Sequence, residues 1–420
     1  ALPISKVSTG RMRASWWATG LCWIALAPVN TATDGSDADP ASLLLPLNRT
    51  GNHIAFVKTH ATGSSTVSSI LHRYAVNHGV AKALPEKASF TYKLDTEPMA
   101  KGPKLTQTPK LNCGGMQSAG PPFEMWSNHV IYHSRMDDVS KGGGNPATAV
   151  LVPGARGQVL TIVRDPADRF LSAYYKGNRQ DRHGMSLSQW IHTKSAGSGG
   201  GGTPRGRRLV GGDGGPSSRA NSTSAVEDTE MGRRLQMHSL NSMCQHLIRD
   251  GQPPGGGTEA EIMHKIRTGD WLVLVLERFD ESLQLLREAY SWDMFDILYV
   301  AMKTTRTSHK APLNEADRAA LLKMSGCDTK LYQESLAVFE QRVEEYGKER
   351  MVADVEKFKT LNAKANEICV SKAEQEHPQC IQMSMDNMKW SGWAKHEIVK
   401  PKPCAGIAKS AADFASKLGL

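Results

Sequence analysis

Residues 53–67 read HIAFVKTHATGSSTV: a short apolar strand, a Lys-Thr-His step, a Gly/Ser/Thr turn and the start of a helix. Few arrangements suit that order. Ile54, Phe56 and Val57 anchor the strand, and Gly63 allows the backbone to approach an anion closely. The N–H groups of Ser64, Ser65 and Thr66 then fall where a helix N-terminus carries partial positive charge. Val67, Ile70, Leu71 and Tyr74 follow at i, i+3, i+4 and i+7, the spacing of an amphipathic helix. The segment is not a Walker A loop, in which Lys follows the second Gly; Lys58 lies ahead of the turn, on the strand side. Taken alone, the segment reads better as an ordinary strand–helix connection.

A second segment narrows the choice. Residues 158–175, QVLTIVRDPADRFLSAYY, begin with the unbroken apolar run expected of a strand buried on both faces. Arg164 stands at its end. Asp165 and Pro166 have the chemistry of an N-cap and first helical residue. Arg164 and Ser172, eight residues on, are a pair that can grip one phosphate, the guanidinium in bidentate fashion. The competing reading pairs Arg164 with Asp165 or Asp168 and leaves Ser172 facing solvent.

Both motifs sit beyond the carboxyl ends of strands, where open α/β sheets bind ligands, and together they suggest a nucleotide phosphorylated at both ends. The pair resembles the 5′-phosphosulfate and 3′-phosphate motifs of enzymes that use 3′-phosphoadenosine-5′-phosphosulfate (PAPS). More narrowly, KTHATGSSTV with RDPADRFLSAYY is similar to the Golgi galactose-3-O-sulfotransferases, the family of galactosylceramide sulfotransferase. Weaker echoes are His133-Ser134-Arg135 (H-x-R), Asn241-Ser242-Met243 (N-x-M) and WLVLVLERFDESLQLL at 271–286. The likeness runs in patches from about 53 to about 346. Two departures stand out: Ala61 occupies the place of a second Lys, and CQHLIRD follows Met243 where the family tends to have an aromatic and an Asp before Leu-Gly.

The resemblance implies sulfonate transfer from PAPS to a sugar hydroxyl, the 3-OH of galactose on a glycolipid or glycan. Transfer of this kind requires positioning, neutralisation of spreading charge and removal of a hydroxyl proton. Lys58 is the candidate for the leaving phosphate oxygen, a compact ammonium suiting a point of developing charge. The loop from Thr59 through Thr62, Gly63, Ser64, Ser65 and Thr66 would hold the 5′-phosphate, with Arg164 and Ser172 on the 3′-phosphate. His60 is the candidate general base, because imidazole titrates near neutral pH; its bland alternative is a histidine that only braces the loop. His133 is a second candidate base or acceptor ligand, and Glu277 a third. No metal is expected. An inactive carbohydrate-binding relative and a P-loop kinase remain as alternatives. The kinase lacks a GK[ST] Lys and a well-spaced Walker-B acid.

The chain has 420 residues, a formal charge of +9 and 40% apolar residues, enough for one large α/β domain with appendages. The basic excess fits an anionic cofactor better than nucleic acid, since no zinc-finger, RRM or basic-zipper pattern occurs. Lys6, Arg11 and Arg13 precede an apolar run over 14–29. This reads as a type II signal anchor, with a cleaved signal peptide and a buried helix as alternatives; the catalytic domain would then be lumenal at the Golgi membrane. The sequons at Asn48 and Asn221 agree with a lumenal setting. Six cysteines outside the anchor (Cys113, Cys244, Cys327, Cys369, Cys380 and Cys404) allow three disulfides or free buried thiols.

The expected organisation is an anchor at 1–29, a stem at 30–50, a sulfotransferase domain at 51–358 and a Cys- and Lys-containing extension at 359–420. A low-complexity Gly/Ser/Arg insertion occupies 195–225. Alternating strands and helices predict a P-loop-like three-layer α/β/α domain with a mostly parallel sheet and an irregular C-terminal tail.

Overall fold

A computed structural model describes residues 54–80, 82–83, 110–111, 125–128, 158–176, 186–197, 240–248, 257–300, 312–371, 373–386, 389–390 and 404–420. The anchor, the stem, both sequons, Cys113, His133 and nearly all of the 195–225 insertion lie outside them.

Six strands form the sheet: β1 (Ile54–Val57), β2 (Lys82–Ala83), β3 (Lys110–Leu111), β4 (Met125–Asn128), β5 (Gln158–Val163) and β6 (Trp271–Val275), in the order β3-β2-β4-β1-β5-β6. Every pairing is parallel except β2 with β3 at one edge. Every residue of β1 and β6 is buried, the pattern of strands covered on both faces. Side-chain alternation then sorts two cores. Ile54, Phe56, Leu160, Ile162, Leu272 and Leu274 pack with helices α1 (Ser64–His78) and α6 (Phe279–Tyr290). Ala55, Val57, Val159, Val163, Val273 and Val275 pack with α4 (Ser242–Leu247), α5 (Glu259–Arg267) and α8 (Gly326–Tyr346). Helices therefore cover both faces of a small, mostly parallel sheet, and by residue count the described molecule is mainly helical.

The chain leaves β1 towards β2 and β4 on one side and returns to β5 and β6 on the other. This reversal opens a crevice beside the carboxyl end of β1. Register fixes what meets there. Val57, the last residue of β1, pairs with Thr161, while β5 and β6 run two residues further and end level at Val163 and Val275.

The remaining helices are α2 (Pro166–Lys176), α3 (Leu187–Gly197), α7 (Glu315–Met324), α9 (Lys348–Val370), α10 (Pro378–Ser384) and α11 (Cys404–Leu418). α3 carries helical structure three residues into the expected insertion. The described part of the tail is helical rather than irregular, contrary to expectation. Phe414, Leu418, Cys380 and Met383 join the α1 side of the core, and Trp390 is fully buried. α9 also runs through the expected boundary at 358 without a break. Ala411, Phe414 and Leu418 recur at helical spacing in α11, whereas the burial of Trp390 depends on Ser69 and His72 of α1, contacts that no local periodicity encodes. Among the described residues, the disulfides Cys244–Cys327 and Cys369–Cys380 hold this frame. Among the described residues no helix is long and apolar enough to cross a membrane.

Candidate active site

The turn after β1 is tied down by its own hydroxyls. Thr59 Oγ1 donates to the carbonyl of Ile162 in β5 at 2.6 Å. A hydroxyl has one proton, so the 2.8 Å contact between Thr59 Oγ1 and Thr62 Oγ1 is donated by Thr62. Ser64 Oγ donates to Thr59 O at 2.6 Å. The side chains of Thr59, Thr62 and Ser64, all buried, thus shape the loop, leaving its backbone to meet a ligand. That backbone has the right form. φ is 61° at Ala61 and 77° at Gly63, with Thr62 between them outside the positive region. Alternation of this kind turns successive N–H groups into one concavity, the anion nest. Thr66 N–H does not join it, because it turns back to Gly63 O at 2.9 Å. The expected run of donors from Thr62 to Thr66 therefore shortens by one. No acidic residue stands in the first turn of α1 to compete for the positive end.

Leu276 roofs this loop. A Cβ placed on Gly63 would sit 2.5 Å from Leu276 Cδ1, so glycine is required both for the positive φ and for the close approach. Lys58 is almost wholly buried at the foot of the same loop, and His60 and Ser65 are half-buried.

Arg164 comes to the loop from β5: its Nη1 donates to Ala61 O at 3.2 Å. It does not take Asp165 or Asp168 as partner. Those carboxylates go to Arg318 of α7, at 2.6 Å and 3.0 Å. Asp165 is also the N-cap of α2, its Oδ1 accepting from Asp168 N at 3.0 Å, as its sequence position suggests. Glu277, at the end of β6, accepts from Asp165 N at 3.0 Å and lies 4.0 Å from Arg164 Nε. Tyr332 Oη donates to its other oxygen at 3.3 Å. A carboxylate engaged in this way orients the guanidinium and the start of α2, which suits it less well to act as a base. Ser172 lies half-buried on α2.

Two of the three weaker sequence echoes also lead here, while His133-Ser134-Arg135 lies outside the described residues. In the 271–286 segment, Ser282 Oγ accepts from Val275 N and donates to Val275 O, at 2.9 Å and 3.0 Å, closing the turn that presents Leu276 and Glu277. The Asn241-Ser242-Met243 segment opens α4. Asn241, with φ 59°, accepts from Asp328 N at 3.1 Å, and the Asp328 carboxylate accepts from Met243 N and Cys244 N at 3.2 Å and 2.8 Å. Arg169 of α2 stands 3.5 Å from that carboxylate, both side chains fully buried. Burial pushes the Asp328 carboxyl above the usual range, while Arg169 and the two N–H groups oppose it. For Arg169 burial lowers the pKa, Asp328 raises it and the neighbouring Arg164 lowers it. Removing one member of such a pair costs about 3–5 kcal/mol.

Sequence reasoning missed two participants. Leu276 falls inside the 271–286 segment with nothing local to mark it. His246 lies in the departing CQHLIRD stretch, and its ring comes within 4.9 Å of the His60 ring, centroid to centroid.

The family model for galactose-3-O-sulfotransferase matches residues 18–180 and 231–419, more than half of the chain. The chain belongs to the galactose-3-O-sulfotransferase family. The unmatched stretch brackets the low-complexity insertion, and the match continues to the last helix, consistent with a tail packed into the core. Mouse galactosylceramide sulfotransferase is 25% identical over 342 residues, 79% of this chain and 67% of that protein. The human protein of the same name is 25% identical over 329 residues, 76% of this chain and 64% of its own length. Human galactose-3-O-sulfotransferase 4 is 26% identical over 374 residues, covering 78% and 72%. The chain thus spans about two thirds of the length of these relatives.

Proposed function

We propose that this member of the galactose-3-O-sulfotransferase family transfers a sulfonate group from PAPS to a galactose hydroxyl, the 3-OH of a glycolipid or glycan. The observation that carries the reading is the link from Arg164 Nη1 to Ala61 O, which joins two motifs 103 residues apart in one crevice. The nest at Ala61–Gly63 suits the 5′-phosphosulfate, and Arg164 with Ser172 the 3′-phosphate. PAPS supplies the activated sulfonate. Lys58 meets the charge gathering on the leaving phosphate oxygen, and the loop N–H groups hold that phosphate in line. His60 takes the acceptor hydroxyl proton as the oxygen bonds to sulfur. His133 is the second acceptor-side candidate. The products are the sulfated sugar and adenosine 3′,5′-bisphosphate. In the same reading the domain is lumenal, held at the Golgi membrane as a type II protein by the apolar run 14–29. The two disulfides support an oxidising compartment.

Calorimetry on the purified chain with adenosine 3′,5′-bisphosphate and with ATP tests the donor site. Binding of the bisphosphate in preference to ATP is expected. Preference for ATP would favour a kinase, and binding of neither an inactive carbohydrate-binding relative. Transfer of labelled sulfonate to galactosylceramide and to galactose-terminated glycans then tests the acceptor.

A further inference from the structure

His246 is held more firmly than a six-residue helix requires. α4 is fixed by the Cys244–Cys327 disulfide, by the Asp328 carboxylate on two of its N–H groups and by the left-handed Asn241 at its start. Arg169 secures Asp328 from α2, the helix that follows Arg164. Such support suits a group whose position matters to a site.

The ring itself is also oriented. His246 Nδ1 lies 2.7 Å from Ser242 O. A carbonyl oxygen only accepts, so Nδ1 carries the proton, which fixes the tautomer and the ring plane. The ring then meets His60 at 4.9 Å with an interplanar angle of 76°, an edge-to-face contact. His60 sits in a turn between Thr59, tied to β5, and the left-handed Ala61. Its backbone is thereby placed, and the His246 ring stands against its side chain.

We propose that His246 is a positioning residue for His60, holding the imidazole in the plane from which it meets the acceptor hydroxyl. This rests on the sulfotransferase reading above. A base displaced by about an ångström loses up to about 100-fold in rate, while donor binding, made by other groups, stays as it was. Phenylalanine at 246 keeps a ring against His60 without any titratable nitrogen; alanine keeps nothing.

The test compares wild type, His246→Ala and His246→Phe for kcat, donor KM, bisphosphate affinity and melting temperature. The expected result is a fall in kcat of about 10- to 100-fold for alanine, with unchanged bisphosphate affinity, and recovery to within about 3-fold of wild type for phenylalanine. Equal loss in both variants would overturn the contact role, as would full activity in the alanine variant. If alanine prevents folding, the phenylalanine variant decides: a folded, bisphosphate-binding protein with kcat down 10-fold or more overturns the proposal. Failure of the wild type to bind the bisphosphate or transfer sulfonate would instead strike the parent reading.

Discussion

Gly63→Ala probes the loop at its tightest point, and two costs can be separated. Alanine at φ 77° is in the left-handed region, worth about 1–2 kcal/mol. Its Cβ would also lie 2.5 Å from Leu276 Cδ1, so that side chain must move. Leu276 is half-buried and the clash falls on the end of a flexible side chain, which places the second cost near the low end of overpacking, about 1–2 kcal/mol. The sum is about 2–4 kcal/mol. In a Leu276→Ala background the clash disappears and only the backbone cost of about 1–2 kcal/mol remains. Urea denaturation of the four proteins, followed by circular dichroism, gives the double-mutant cycle. A coupling energy of about 1–2 kcal/mol is expected. If Gly63→Ala costs the same in both backgrounds, Leu276 does not roof the loop. If it costs under about 0.5 kcal/mol in wild type, the left-handed turn is not there.

Arg164→Lys keeps the charge and loses the fork; donor KM should rise about 10-fold or more with an unchanged circular dichroism spectrum, and near-normal KM would remove Arg164 from the site. Lys58→Met should lower kcat by about 100-fold or more, measured by labelled sulfonate transfer, with the fold retained. Replacing Cys244 and Cys327 by serine opens a closure of 83 residues and should cost about 4–5 kcal/mol, against about 3 kcal/mol for Cys369 and Cys380, separated by 11, each read by denaturation. His377 caps α10 by accepting from Gln379 N at Nδ1, and burial, then Lys417, hold its pKa below the ordinary histidine value. The unfolded chain therefore binds this proton more readily, so its stability is full above the ordinary value and falls as pH drops below it. His377→Asn, which keeps an acceptor at the cap, should flatten that part of the pH–stability curve; an unchanged slope would refute the assignment.

Much of the local structure was legible. The strand 54–57, the helix from Ser64 and the Asp165 cap follow local rules of periodicity and capping, which act over a few residues. The two phosphate-type turns were legible for the same reason: each is contiguous. The place of Trp390 was not, because its partners Ser69 and His72 lie in α1, more than 300 residues away in sequence. Glu277 was read as a spare base, since its role depends on Asp165 N and Tyr332 arriving from two other elements. His246 was passed over because nothing near it in sequence implies a neighbour at residue 60.

The amino-acid order alone determined which segments become strands and helices, where two phosphate-type turns occur and which family they resemble, because strand, turn and cap preferences are local energies. Only the tertiary structure decided that Arg164 serves the loop of Ala61 while Arg318 takes the nearby carboxylates, that Leu276 closes over Gly63 and that His246 meets His60. Those choices are made by strand register and by helices converging on the reversal point of a parallel sheet, where parts distant in the chain compete for the same few ångströms.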